Sequence, residues 1–494
     1  MKQLPLKRMP AEQVLDTMRA ARDHDVHWQE GRVFSLVFFA GDEVLDLLKQ
    51  AYSMFFSENG LNPMAFPSLK KFESEVVSMT ASLLGGDDET AGNMTSGGTE
   101  SLLLAVKTAR DWARQTRPAI TLPEMILPVT AHPAFDKAAH YFSVKSVHVP
   151  VDSNFRAEVD AVRAAITPNT ILLVGSAPSY PQGALDPIAD LGRLAREHDL
   201  LLHVDACVGG MLLPFARKLG YPVADFDLSV PGVTSISADL HKYGYAAKGA
   251  SVILYKTRAL RRHQFYVHTD WPGGIYPSPT MLGTRPGGGI AAAWAVMNFL
   301  GEEGYLSIAE TVLKTATKIK NGINALDGLK VLGDPVMSVM AIGAKGLNVY
   351  EVGDEMSARG WYLDRQQFPS SLHVTINYAH AASADRFLED LERSVAQARQ
   401  WSWGKFMNSL QVGLVEAATR VLPEKTVSDL TQRASALMGK GGGLPTRSAA
   451  MYGMMASLPN RGDVNEIVLD LLDGMTRVED RAPDGPASRR VAAE

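Results

Sequence analysis

SISADLHKYGYAAKGASVILY, residues 235–255, sets a lysine directly after a histidine, past a short β-like run and ahead of a glycine-bearing turn. An amine in that setting can condense with a carbonyl group, because a desolvated lysine gives up its proton readily. The upstream stretch LLHVDACVGG, residues 201–210, runs apolar residues into Asp205. It therefore sets a carboxylate at the C-terminal end of a buried strand. Taken alone, Lys242 reads as a solvated surface group and Asp205 as a helix N-cap. Their order within one alternating α/β frame gives the pair its meaning.

A third stretch, NMTSGGTESLLL at 93–104, is a Ser/Gly/Thr turn that opens into an apolar helical run. Free N–H groups at a helix start, with hydroxyls beside them, suit a phosphate. Gly97 and Gly98 let the backbone come close, although Thr99 could equally be a plain N-cap. A reactive lysine, a strand-end acid and a phosphate turn together answer the needs of pyridoxal 5'-phosphate. That cofactor takes a lysine for its aldehyde, and an acid to keep its ring nitrogen protonated.

The frame follows from periodicity. Helical patterns at 69–84, 100–114 and 187–198 alternate with strand-like runs at 125–129, 146–149, 171–174, 200–204, 235–238 and 251–255. Such alternation predicts an α/β fold, a mostly parallel sheet covered by helices, with ligands at the C-terminal ends of the strands. Further helices are expected at 11–22 and 42–56, on either side of the apolar segment 33–40. A long helix at 291–326 leads into a smaller α+β part with strands at 336–342 and 372–376 and helices at 350–359 and 384–400. The expected domains are 1–57, an arm packing on a partner subunit; 58–310, the large cofactor-binding domain; 311–476, the small C-terminal domain; and 477–494, a disordered polar tail. Within the small domain, 404–475 reads as helical with a glycine-rich interruption at 439–445, and Trp401 and Trp403 read as core or interface.

Composition narrows the function classes. The chain has 494 residues, 46% hydrophobic and 21% charged, enough for more than one core. A net charge of −5 argues against nucleic acid as a partner. The single cysteine, Cys207, excludes an intrachain disulfide and suits a reducing, cytoplasmic setting. The basic start is not followed by an apolar signal core, and 33–40 is far short of the ~20 residues of a membrane helix. His198 and His203 lack a metal-binding spacing, so no metal is expected.

Seven segments carry a resemblance to a known family: TSGGTESLLLAVK (95–107), HPAFDKAAHYF (132–142), SAPSYPQGALDPI (176–188), HVDACVGG (203–210), the opening stretch, GTRPGGG (283–289) and GWYLDRQQFPSSLH (360–373). The chain resembles pyridoxal-phosphate-dependent decarboxylases of the glutamate-decarboxylase type. YGYAAKG and GWYLDRQQFP are similar, more narrowly, to the sphingosine-1-phosphate lyase branch. The resemblance implies the type I fold of these enzymes and a homodimer with shared active sites. It implies Lys242 as the Schiff-base lysine, Asp205 on the pyridinium nitrogen and His132 stacked on the ring. Gly98, Thr99, His241 and Ser237 are implied as cofactor contacts, with Gly283 and Thr284 reaching the neighbouring subunit's cofactor phosphate. Tyr180 and Lys248 are implied near the substrate, a phosphorylated sphingoid base cleaved between C2 and C3 to a long-chain aldehyde and phosphoethanolamine.

Two positions depart from that branch. Within GRVFSLVFFAGDE (31–43), Phe38 stands where the lyases carry a tyrosine, so no hydroxyl is available there. Asn62 stands where they carry a histidine, ahead of the kept Phe66–Pro67 pair; it can donate a hydrogen bond but cannot carry charge. Both fall on substrate contacts, so the substrate is less fixed than the cofactor. An amino-acid decarboxylase is the alternative reading, and an altered paralogue a third.

Overall fold

Strands buried along their whole length need helices on both faces, and Thr170–Ser176 and Leu201–Asp205 are buried at every position. The computed structural model describes residues 4–23, 25–400 and six helical positions between 465 and 473. At its centre is a seven-stranded sheet of β1 (Ala91–Thr95), β2 (Glu124–Pro128), β3 (Lys145–Val149), β4 (Thr170–Ser176), β5 (Leu201–Asp205), β6 (Ser235–Ala238) and β7 (Ser251–Tyr255). Their spatial order is β1-β7-β6-β5-β4-β2-β3. Neighbours run parallel except at β7, which is antiparallel to both β6 and β1. The strand starts and ends lie within a few residues of those expected.

The sequence reading omits β1, whose residues AGNMT carry no strand-like alternation. It forms because β7 offers a full register, from Ala91 opposite Tyr255 to Thr95 opposite Ser251. Glycine is required within it: a Cβ on Gly92 would sit 2.4 Å from the Ile253 carbonyl oxygen. The free edge of β1 is covered by side chains. Glu73 accepts the Met94 N–H, and Arg261 and Arg285 donate to the Gly92 and Met94 carbonyls.

Helices α1 (Ala11–Arg22), α2 (Asp42–Met54), α3 (Pro67–Leu83) and α4 (Gly98–Thr116) come from the first quarter of the chain. A hairpin of β8 (Tyr266–His268) and β9 (Tyr276–Ser278) precedes the long helix Gly287–Ala325, which kinks at Gly301. That helix passes from one core to the next, since Leu313 belongs to the large cluster and Ala316 to the small one. The second core lies against an antiparallel sheet, β10-β11-β13-β12, of β10 (Leu329–Val331), β11 (Val339–Ala344), β12 (Asp364–Gln366) and β13 (Ser371–Thr375).

Residues 31–54 are stitched into their own chain. Phe34 is buried in the second core, stacked on His380 and packed on Trp361 and Phe387. Its N–H donates to the Tyr362 carbonyl, and its carbonyl accepts the Thr375 N–H. Asn377 donates to Val37, and α2 packs on the long helix. An apolar run of this kind is stabilised by burial wherever a core is nearest, and here the nearest core is its own. The expectations for 404–475, for Trp401 and Trp403, and for the tail from 477 lie outside the described residues, save for the six helical positions.

Candidate active site

Five loops meet at the C-terminal edge of the parallel strands: those after β1, β2, β4, β5 and β6. Lys242 lies just past β6, and its ammonium meets Asp239 Oδ2 at 2.8 Å. Asp239 precedes it by three residues, within one tight turn, so both point to the same spot. Burial works against the Asp239 carboxylate, but the Lys242 ammonium more than offsets it and holds its pKa below the usual range. Burial also disfavours the Lys242 ammonium; Asp239 outweighs that and keeps the pKa raised. The pair is therefore ionised at neutral pH in the cofactor-free chain.

Asp205 ends β5 in register with Ser237 of β6. The Cys207 N–H holds its Oδ1 at 3.0 Å, and the Ala177 N–H donates to its carbonyl. Beneath it, His203 places Nδ1 2.9 Å from Ser235 Oγ and Nε2 3.3 Å from Ser237 Oγ. Burial pushes His203 down to about 4, so it stays neutral. Ser237 is also met by the Cys207 thiol at 3.3 Å. Its hydroxyl thus serves the layer beneath Asp205.

The Ser96–Thr99 turn closes over this group. A Cβ on Gly98 would lie 2.8 Å from Asp239 Oδ2 and 2.9 Å from Cys207 Sγ, so only glycine fits. Gly97 faces His241, whose Cε1 would stand 3.3 Å from an added Cβ. The N-cap of α4 is Gly97, not Thr99, and no side chain caps it. The first-turn N–H groups and the exposed Thr99 hydroxyl are therefore open to an anion. His241 Nδ1 accepts the Ala250 N–H, which leaves the proton on Nε2, 3.7 Å from Asp239. Burial lowers its pKa to about 4, so it acts as a neutral donor.

These residues fit pyridoxal 5'-phosphate. Asp239 Oδ1 is buried with no hydrogen-bond partner, and a backbone cradle that admits no Cβ lies beside it. A lysine, a strand-end carboxylate and uncapped helix amides surround the space. His132 sits in the turn after β2, at the same sheet edge; its Nδ1 accepts the Ala134 N–H at 3.1 Å, so Nε2 carries the proton.

Tyr180, in the loop after β4, donates to Asp364 Oδ2 at 3.0 Å and stacks on His373 with ring centroids 4.0 Å apart. Gln366 donates to the Pro181 carbonyl, so the second sheet holds this loop. Burial, with Asp364 beside it, raises the Tyr180 pKa far above its ordinary value and leaves it a neutral phenol. Lys248 donates to the His241 carbonyl at 3.3 Å and lies 5.5 Å over the Phe38 ring. Phe38 in turn packs edge-on against Tyr243. Although Lys248 meets solvent, the walls of the cleft strip part of its hydration. With Lys242 nearby, this lowers its pKa to about 8.

The remaining predicted residues lie on other segments of this chain. Asn62 Oδ1 accepts the Met64 and Ala65 N–H groups, so it caps a turn. Gly283 and Thr284 are exposed. The segments bearing them are joined to each other, because Gly60 and Arg285 exchange hydrogen bonds and Arg285 forms a two-pronged ion pair with Glu73. Sequence reasoning missed Asp239, Asp364 and His373. Asp239 was legible as the carboxylate one turn before Lys242; the other two had no local signal.

Fold and site together define a pyridoxal-phosphate-dependent enzyme. The family described as "Pyridoxal-dependent decarboxylase conserved domain" matches residues 3–344, and the chain belongs to that family. Within it the sequence is similar to sphingosine-1-phosphate lyases. It is 43% identical to that of Oryza sativa subsp. japonica over 471 residues, covering 94% of this chain and 80% of the relative. It is 44% identical to sphingosine-1-phosphate lyase 1 of Rattus norvegicus, covering 80% and 70%. A solved sphingosine-1-phosphate lyase of Burkholderia pseudomallei superposes with a TM-score of 0.78 at 40% identity, covering 84% of this chain and 97% of that one. A glutamate decarboxylase of Lactobacillus brevis superposes at 0.72 with 17% identity, covering 81% and 96%, and shares the fold.

Proposed function

We propose that this chain is a carbon–carbon lyase that cleaves sphingosine 1-phosphate or its dihydro form between C2 and C3, giving a long-chain aldehyde and phosphoethanolamine. The observation that carries this is the Lys242–Asp239–Asp205 cluster in a chain 43% identical over 94% of its length to a lyase of that name. When bound, pyridoxal phosphate supplies a ring that accepts the electron pair released as the bond breaks. Asp205 would hold the proton on the ring nitrogen. Lys242 would provide the amine, and the amides of Gly98 and Thr99 would take the cofactor phosphate. His132 Nε2–H would place a donor near the reacting carbons, and the Tyr180 oxygen, whose O–H donates to Asp364, would be an acceptor there. Phe38 keeps that side of the cleft apolar, so Lys248 carries the cationic part of the grip on the substrate phosphate.

We place the active unit in a homodimer in which Gly283 and Thr284 of each subunit reach the neighbour's site. Exposed Met281, Leu282, Trp271 and Ile275 on the same part of the chain support that reading. Asn62, on the segment tied to Arg285, would come to the neighbour's site with them. Buried, unpaired Cys207 suits a reducing cytoplasm, and no described helix is long and apolar enough to cross a membrane.

The test is direct. Cofactor-loaded protein given dihydrosphingosine 1-phosphate should release fatty aldehyde and phosphoethanolamine in equal amounts. Carbon dioxide released from an amino acid, with no aldehyde, would replace this reading by the decarboxylase one.

A pH profile reads Lys248 separately. Lys248 is charged below its pKa of about 8 and neutral above it. The kcat/KM for the phosphorylated substrate should therefore fall as pH rises through that region, through KM. Lys248→Arg, which stays protonated, should carry the profile flat through the range. A wild-type profile already flat to about pH 9.5 would remove Lys248 from the phosphate grip.

A further inference from the structure

Glu100 stands at the third position of α4 and is almost fully buried, yet it forms no ion pair among the described residues. Both of its oxygens are taken by backbone. Oε2 accepts the Ser96 N–H at 2.6 Å, from the turn that closes over Lys242. Oε1 accepts the Met281 N–H at 2.8 Å and the Leu282 N–H at 3.3 Å, from a segment some 180 residues away. The same segment is fixed again at Arg285 by Glu73, with contacts of 2.6 and 2.8 Å. Gly283 and Thr284 are thus an exposed pair pinned by a carboxylate on each side.

We propose that Glu100 is a positioning residue for the cofactor phosphate, one carboxylate that fixes the Ser96–Thr99 turn and the Met281–Thr284 segment relative to each other. It rests on the reading of that turn as the phosphate seat. A negative charge beside a phosphate seat is unfavourable by itself, so its presence needs a reason. The reason lies in the donors it meets. A side chain here must accept at both ends, and a carboxylate does so, whereas a glutamine offers an oxygen at one end and an NH2 donor at the other. By taking the Ser96 N–H, Glu100 also leaves the amides of Gly98 and Thr99 as the free donors for the anion.

Glu100→Gln keeps the volume and sets donor against donor at one of the two segments. Its expected effect is a rise of about tenfold or more in the dissociation constant of pyridoxal 5'-phosphate, read from the visible absorbance of the bound cofactor. Pyridoxal, which lacks the phosphate, should bind the variant within about twofold of wild type, because Lys242 and Asp205 are untouched. The preference for phosphate over no phosphate is the readout, and a purely structural role would not move it. Glu100→Asp keeps both acceptors one carbon short and should fall between the two, providing a folded variant if Glu100→Gln is unstable. An unchanged preference in either variant overturns the proposal. Wild-type protein that binds pyridoxal and its phosphate equally would instead overturn the phosphate-seat reading beneath it. Lyase activity tests the proposed reaction independently of either result.

Discussion

Lys242→Ala should lower the rate of aldehyde release by about 10³-fold or more and abolish the absorbance of the covalently held cofactor. Lys242 is the amine set against Asp239 at the sheet edge, whereas Lys248 donates to the His241 carbonyl and lies over Phe38. The substitution has a second, separable effect. It leaves the Asp239 carboxylate buried without its partner, which costs about 3–5 kcal/mol of stability. Adding Asp239→Asn should recover most of that stability without recovering activity. The pair of variants separates chemistry from folding, with urea unfolding and aldehyde release measured on each. Activity of the single variant within about tenfold of wild type would show that Lys242 is not the reacting amine.

Asp205→Asn should lower kcat by about 10²–10³-fold while the protein still binds cofactor. Asparagine can still accept the Cys207 N–H, so the loop after β5 should keep its shape. What it removes is the charge that would face the ring nitrogen. His203 is held neutral and Cys207 is kept protonated by burial, so neither can replace that charge. The measurement is kcat at saturating cofactor alongside the bound-cofactor spectrum. A loss of less than about tenfold, with the spectrum intact, would move the ring-nitrogen role away from Asp205.

Much of this site is legible in the sequence because its parts are local. Asp205, Lys242 and Gly98 each lie where a strand ends or a helix begins, and period-2 and period-3.6 patterns mark such places. Side chains that gain their role across the chain leave no such mark. Asp364 reaches Tyr180 from another sheet, and Glu100 reaches Met281 across 181 residues. The strand β1 is hidden for a related reason: its pairing partner β7 supplies what its own residues lack. Resemblance puts Phe38 beside the substrate, and the structure sets it against Lys248 and Tyr243. The Ser237 hydroxyl meets His203 and Cys207.

The sequence by itself determined the alternation of helix and strand, the cofactor class and the lysine, acid and glycine turn that would hold it. These follow from hydrophobic period and from residues that few other chemistries require in that order. Tertiary structure decided which oxygens are spent on backbone and which remain open, that residues 31–54 join their own core, and that Lys242 is held as an ammonium by Asp239. Those outcomes depend on burial and on distances between segments far apart in the chain. Both set the cost of a charge or an unmade hydrogen bond, and neither is fixed until the chain has folded.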